Sequence, residues 1–86
     1  MPKIIYSSYF LRKVKKLSPQ EKKLLDKFEK IFRQNCFNSR LKTHKLSGQF
    51  EGFWSCSLDY RNRVLFKFKK EDIVVLIDVG DHDVYK

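Results

Sequence analysis

The sequence predicts an α+β fold with the element order β-α-α-β-β-β, a helix hairpin packed on one face of a mainly antiparallel four-stranded sheet. Three observations carry this expectation. Apolar residues recur every three or four positions up to about residue 35, and at every second position from residue 54 onward. A Ser-Pro step divides the helical half in two. Late in the chain the run "IVVLI" is apolar on both faces, as a strand with neighbours on either side must be.

Taken in order, "KIIY" is short and β-branched, which predicts a strand at Lys3–Tyr6. From Ser8 the spacing of Tyr9, Phe10, Val14 and Leu17 gathers apolar side chains on one side of a helix. Arg12, Lys13, Lys15 and Lys16 take the rest of its surface. In "LSPQE", Ser18 can cap the free amides of a new helix, Pro19 suits its first position, and Glu21 completes a capping box. Leu24, Leu25, Phe28, Ile31 and Phe32 then carry this second helix to about Asn35. Two helices parted by one such break fold as an antiparallel hairpin.

Residues 36–52, "CFNSRLKTHKLSGQFEG", hold no sustained period and are expected to form a long connection. Three strands follow. In "FWSCSLD", Trp54, Cys56 and Leu58 share one face. In "RVLFKFK", Val64, Phe66 and Phe68 point inward while Arg63, Leu65 and Lys67 point mostly outward. "DIVVLIDV" is the central strand. Short spacings at 60–62 and 69–72 predict hairpin turns and therefore an antiparallel meander.

A chain of 86 residues suits one domain, residues 1–86, with a single modest core. Its net charge of +9 predicts affinity for an anionic partner, nucleic acid foremost. The charge is lopsided: residues 1–45 hold thirteen basic and three acidic side chains, residues 46–86 six and seven. A solvated, Lys-rich helical surface is the plain alternative. Cys36 and Cys56 have no CxxC spacing, and no apolar signal segment opens the sequence, so both are expected to be free thiols of a cytoplasmic protein. The five residues of "IVVLI" fall far short of the roughly 20 that a membrane helix needs, so no membrane association is expected.

Chemistry is expected from few residues. His82 directly follows the central strand and His44 lies in the connection; imidazole alone among side chains titrates unaided near neutral pH. Either can equally be a solvated surface histidine. Arg61 and Arg63 lie two residues apart, so on an extended chain their forked donors share one side and can grip a phosphate. The same pair can instead blunt a strand edge by charge. Tyr85 can stack on an unpaired base or tuck against the sheet. Two histidines without a third soft ligand nearby, and no HxxxH pair, point away from a catalytic metal. Neither a Gly-rich phosphate loop nor a nucleophile turn is present, so no cofactor is expected. An enzyme built this way works with Arg, Lys, His and its substrate's own groups. RNA cleavage fits, because the 2′-OH supplies the nucleophile.

The helix hairpin together with "HKLSGQFEGFWSCSLDYRNRVLFKF" and the late "VGDHDVY" resembles the RelE/ParE superfamily of type II toxin–antitoxin toxins, especially its RelE and YafQ-like messenger-RNA interferases. The resemblance covers nearly the whole chain. Its most specific parts are His-x-Leu-x-Gly from His44 to Gly48, the arginine that opens a strand at Arg63, and Gly-x-His followed closely by Tyr from Gly80 to Tyr85. It implies a RelE-like fold and a toxin that enters the ribosomal A site and cuts messenger RNA there, without a metal, by attack of the 2′-OH. By resemblance His82 matches the late acid/base position, Arg63 the strand arginine on the scissile phosphate, Tyr85 the aromatic that places the substrate, and His44 the upstream histidine of YafQ-like members. Arg61 is added from spacing alone, and Lys45 and Lys67 are added as further RNA-binding cations. The expected partners are messenger RNA, the ribosome and a cognate antitoxin, an acidic and partly disordered protein. Two other functions stay open on the same scaffold: a ParE-like inhibitor of DNA gyrase, and an inactive relative that only binds its antitoxin.

Overall fold

The structure is a computed structural model that describes residues 3–81. The elements are β1 (Lys3–Tyr6), α1 (Ser8–Lys15), α2 (Pro19–Gln34), β2 (His44–Lys45), β3 (Trp54–Ser57), β4 (Arg63–Lys70) and β5 (Ile73–Gly80). Short 3-10 turns lie at Ser39–Leu41 and Gly48–Phe50. No described helix is long and apolar enough to cross a membrane.

Each long helix begins on a serine. Ser7 accepts the amide of Phe10 and caps α1, while Ser18 and Glu21 form the reciprocal capping box of α2, with Pro19 just inside it. A cap of this kind contributes about 1 kcal/mol. The Ser-Pro break thus separates the helices as the sequence predicts.

Among the described residues the sheet has five strands, in the order β1-β5-β4-β3-β2, where four were expected. The extra strand is β2, whose His44 and Lys45 pair antiparallel with Ser55 and Trp54. Two residues cannot display a period, and β2 exists only because β3 offers a ladder to it. β1 runs parallel to β5, and the other pairings are antiparallel. The apolar run at Ile73–Gly80 does occupy a central place, between β1 and β4.

Alternation decides which face is covered. Cys56, Val64, Phe66, Val74, Leu76 and Val79 meet Phe10 of α1 and Leu25, Phe28 and Phe32 of α2 in one buried cluster. A strict alternation along β5 would send Asp78, not Val79, into that cluster. The ladder prevents this with a bulge: Phe66 pairs Leu76 while Leu65 pairs Asp78, leaving Ile77 extra. The phase shift buries Val79 completely beside Val64. Asp78 in turn accepts the Val79 amide at 2.7 Å and the Lys13 ammonium at 2.9 Å, which ties α1 to the end of β5.

Cys36 and Cys56 are both free and buried. Burial pushes the Cys56 thiol up to about 12, against a smaller opposing effect of its hydrogen bond to Thr43, and burial also raises Cys36. Since the thiolate is the reactive form, neither cysteine is expected to react with a thiol reagent near pH 8 until the chain unfolds. Modification followed across a denaturant titration checks this: labelling should track global unfolding, and rapid labelling of the native protein contradicts it.

Candidate functional site

The ladder places the predicted residues by register. His44 pairs Ser55, Ser55 pairs Leu65, and Leu65 pairs Asp78, while one step along β3 and β4 Ser57 pairs Arg63 and Arg63 pairs Gly80. Cross-strand partners share a face, and so do residues two apart on one strand. His44, Ser55, Ser57, Arg63, Leu65 and Lys67 therefore all lie on the face turned away from the helices. Gly80, the ladder partner of Arg63, has no side chain. Between His44 and Arg63 the sheet spans two strand spacings, roughly 10 Å, and two residues, roughly 7 Å, along the strands.

His44 is exposed, and its Nδ1 lies 2.8 Å from the Lys42 carbonyl. A carbonyl only accepts, so Nδ1 carries the proton and the lone pair of the neutral ring sits on Nε2. Lys42 reaches this position through a left-handed backbone, φ 51°, at the end of the Ser39–Leu41 turn. The imidazole is thereby oriented by its own chain two residues upstream.

Arg63 is half-buried, and its guanidinium folds onto the turn that precedes it. Nη1 donates to the carbonyls of Asp59 at 2.6 Å and Asn62 at 3.1 Å, and Nη2 to that of Tyr60 at 3.2 Å. A guanidinium has five N–H donors, and among the described residues Nε–H and one Nη2–H are without an acceptor. The turn is itself gathered by Asp59, whose Oδ1 accepts the amides of Arg61 at 2.8 Å and Asn62 at 2.6 Å. These bonds hold the Asp59 carboxyl below the usual carboxylate range, the Asn62 amide contributing most. The arrangement is a fixed fork: a carboxylate closes the turn and the turn anchors the arginine.

Three predicted residues do not join this grip. Arg61 lies in the bend and not on an extended strand, so the two-residue spacing does not align it with Arg63. The Asp59 carboxylate, drawing in the Arg61 amide, is what bends the chain there. Lys45 follows His44 on a strand and so faces the helix side, where its ammonium sits 5.5 Å from the centroid of the Trp54 ring. Lys67 is exposed and shares the face of Arg63, but four residues along β4, roughly 13 Å, separate them. Leu65 points away from the helices as expected, yet only 4% of it is exposed. His82 and Tyr85 lie outside the described residues.

Sequence reasoning missed Asp59 and Lys42. "LDYRNR" did carry a signal, because Asp at the head of a short polar stretch readily accepts amides two and three residues on. Lys42 carried none, since lysine has no preference for a left-handed backbone.

Comparison with solved structures places this architecture. YafQ from E. coli strain BL21(DE3) superposes with a TM-score of 0.80 over 99% of this chain and 98% of that one, at 16% identity. The chain has the YafQ/RelE toxin fold. The E. coli DinJ-YafQ toxin–antitoxin complex matches with a TM-score of 0.77, covering 96% of this chain and 94% of that one, at 17% identity. The toxin–antitoxin complex RelBE2 from Mycobacterium tuberculosis matches at 0.71, covering 95% of this chain and all of that one (100%), at 19% identity. No protein-family model matches the sequence, and no curated protein does.

Asp59→Ala is expected to destabilise the protein by about 1 kcal/mol through the two orphaned amides, and to mobilise the Arg63 side chain. Denaturant unfolding and the NMR signal of the Arg63 Nε–H check the two effects, and an unchanged Arg63 signal contradicts the anchoring. A second expectation concerns pH. A carboxyl whose folded pKa is depressed contributes stability that is present above its unfolded pKa, about 4, and lost as pH falls through the folded value. Asp59→Asn should therefore lose less stability than the natural protein between about pH 6 and pH 3. Equal losses in both proteins rule out Asp59 as a source of the acid sensitivity.

Proposed function

We propose that this chain is the toxin of a type II toxin–antitoxin pair and an endoribonuclease that cleaves messenger RNA on the ribosome, in the cytoplasm. The observation that carries the reading is the register that sets His44 and the anchored Arg63 on one face, with a glycine between Arg63 and the chain that leads to His82. The YafQ/RelE fold supports it, as do the solved complexes of neighbours with antitoxins.

In this reading the messenger lies across that face. Arg63 binds the scissile phosphate through its two unengaged donors and meets the charge that develops on the non-bridging oxygens. A base removes the proton of the 2′-OH, the 2′ oxygen attacks phosphorus in line, and the P–O5′ bond breaks. The products are a 2′,3′-cyclic phosphate and a 5′-hydroxyl, the leaving oxygen taking a proton from an acid. His44 is suited to the base, with its lone pair on Nε2, and His82 is the acid that completes the pair; the reverse assignment is allowed by symmetry of the step. Tyr85 stacks on a base and sets its position. No metal enters this chemistry, because positioning, proton transfer and a guanidinium supply what the reaction needs. The cationic first half of the chain, thirteen basic and three acidic side chains over residues 1–45, adds a salt-dependent attraction to the RNA backbone.

Primer extension on messages from cells expressing the protein is expected to show cuts within codons, in frame. His82→Ala should abolish growth arrest with the fold intact by circular dichroism, and His44→Ala should slow cleavage about 10²-fold or more, the usual contribution of a positioned acid or base. Full toxicity in the His82 variant sinks the nuclease reading. Intact messages together with gyrase-linked DNA breaks would move the protein to the gyrase-inhibitor class.

A further inference from the structure

His44 owes the orientation of its ring to one peptide group. Its Nδ1 lies 2.8 Å from the carbonyl of Lys42, and that carbonyl belongs to the peptide joining Lys42 to Thr43. What fixes this peptide therefore fixes the imidazole. On one side of it Lys42 has a left-handed backbone, φ 51°, which is strained for a residue with a side chain and persists only where neighbouring groups hold it. On the other side is Thr43, whose hydroxyl reaches two separate elements. It donates to the Cys36 carbonyl at 2.5 Å, just past the end of α2, and lies 3.1 Å from the Cys56 sulfur on β3. A hydroxyl has one proton, which goes to the carbonyl, so the Cys56 thiol is the donor in the second contact.

We propose that Thr43 is a positioning residue for His44: its hydroxyl pins the Lys42–Thr43 peptide between α2 and β3, and that peptide holds the imidazole in its Nδ1-protonated form. The inference rests on the nuclease reading for the use made of His44, and on the hydrogen bonds alone for how the ring is held. β2 has need of such a pin. It is two residues long, and a slip of one residue in so short a pairing would send His44 to the helix face. The contact of Thr43 with Cys56 continues by one step the register that pairs His44 with Ser55 and Lys45 with Trp54. Leu46 continues it the other way, its amide donating to the Phe53 carbonyl at 3.0 Å. Leu46 keeps the strand attached, while Thr43 acts on the side where the acceptor of His44 lies. Alternation agrees, since Thr43 points to the helix layer and His44, next along the strand, to the opposite face. The role also gives the two buried cysteines a part that needs no reactivity, Cys36 through its carbonyl and Cys56 through its thiol.

The test uses the full chain and two variants. Thr43→Val keeps the shape and removes the hydroxyl, whereas Thr43→Ser keeps the hydroxyl and removes the methyl. Long-range proton–nitrogen NMR reads which ring nitrogen of His44 carries the proton when the ring is neutral, the signals being identified by their loss in His44→Gln. The natural protein and Thr43→Ser should show Nδ1 protonated. Thr43→Val should show a mixture of both tautomers in an otherwise native spectrum. On ribosome-bound message its kcat should fall roughly tenfold or more with KM changed less than about threefold, and Thr43→Ser should restore kcat. The proposal is overturned by an unmoved His44 tautomer in Thr43→Val, by the same defect in Thr43→Ser as in Thr43→Val, or by an unchanged kcat in Thr43→Val. Where Thr43→Val does not fold, Thr43→Ser decides: loss of the Nδ1-protonated ring there assigns the effect to the methyl and overturns the proposal. The NMR arm involves no cleavage. A chain that cuts no message yet shifts the tautomer in Thr43→Val keeps the positioning and loses the nuclease, and one that cuts messages with the tautomer unmoved does the reverse.

Discussion

The ring of Phe32 meets that of Phe66 edge-on at 5.2 Å, with both residues fully buried, and this contact decides which side of the sheet α2 covers. Around it the alternation of β3, β4 and β5 assigns every other residue to the helices and the remainder to the opposite face. The helices cover only one face, and the other carries His44, Arg63 and Lys67 around the buried Ser55 and Leu65. The candidate site is therefore a consequence of one-sided packing, not an addition to it.

That division holds only if the strands stay in phase, and the bulge at Ile77 is where the phase is corrected. It trades an irregular ladder for a buried Val79 and a carboxylate at Asp78 that Lys13 can reach. The exchange is favourable because a valine in the core gains apolar burial, while an aspartate there would need a buried partner. It also locks the start of the structure to its end: Ser7 bonds the Ile77 carbonyl and Lys13 the Asp78 carboxylate, so α1 steadies the stretch of β5 that leads to Gly80.

At the site itself the two described groups are held by short-range devices. Arg63 is anchored by three carbonyls of the adjoining turn, and His44 by a carbonyl two residues before it. Each is oriented locally, while the sheet sets the distance between them. On the proposed nuclease reading, such an arrangement would bind a phosphodiester with little reordering, since the side chains have already given up most of their freedom.

Much of this was legible in the sequence. Helix starts at serines, the Ser-Pro break and the alternation of β3 and β4 are local patterns, and local patterns follow from backbone sterics and burial that a short window displays. The likeness to RelE and YafQ-like toxins was readable for the same reason, from short stretches around His44, Arg63 and Gly80. What only the tertiary structure decided is non-local: the second edge strand at His44–Lys45, the bulge that turns Val79 inward, the turn that takes Arg61 out of line with Arg63, and the side of the sheet on which Lys45 falls. Each depends on a ladder partner or a hydrogen-bond acceptor whose position is set by packing, and packing energies are not written in the spacing of any one segment.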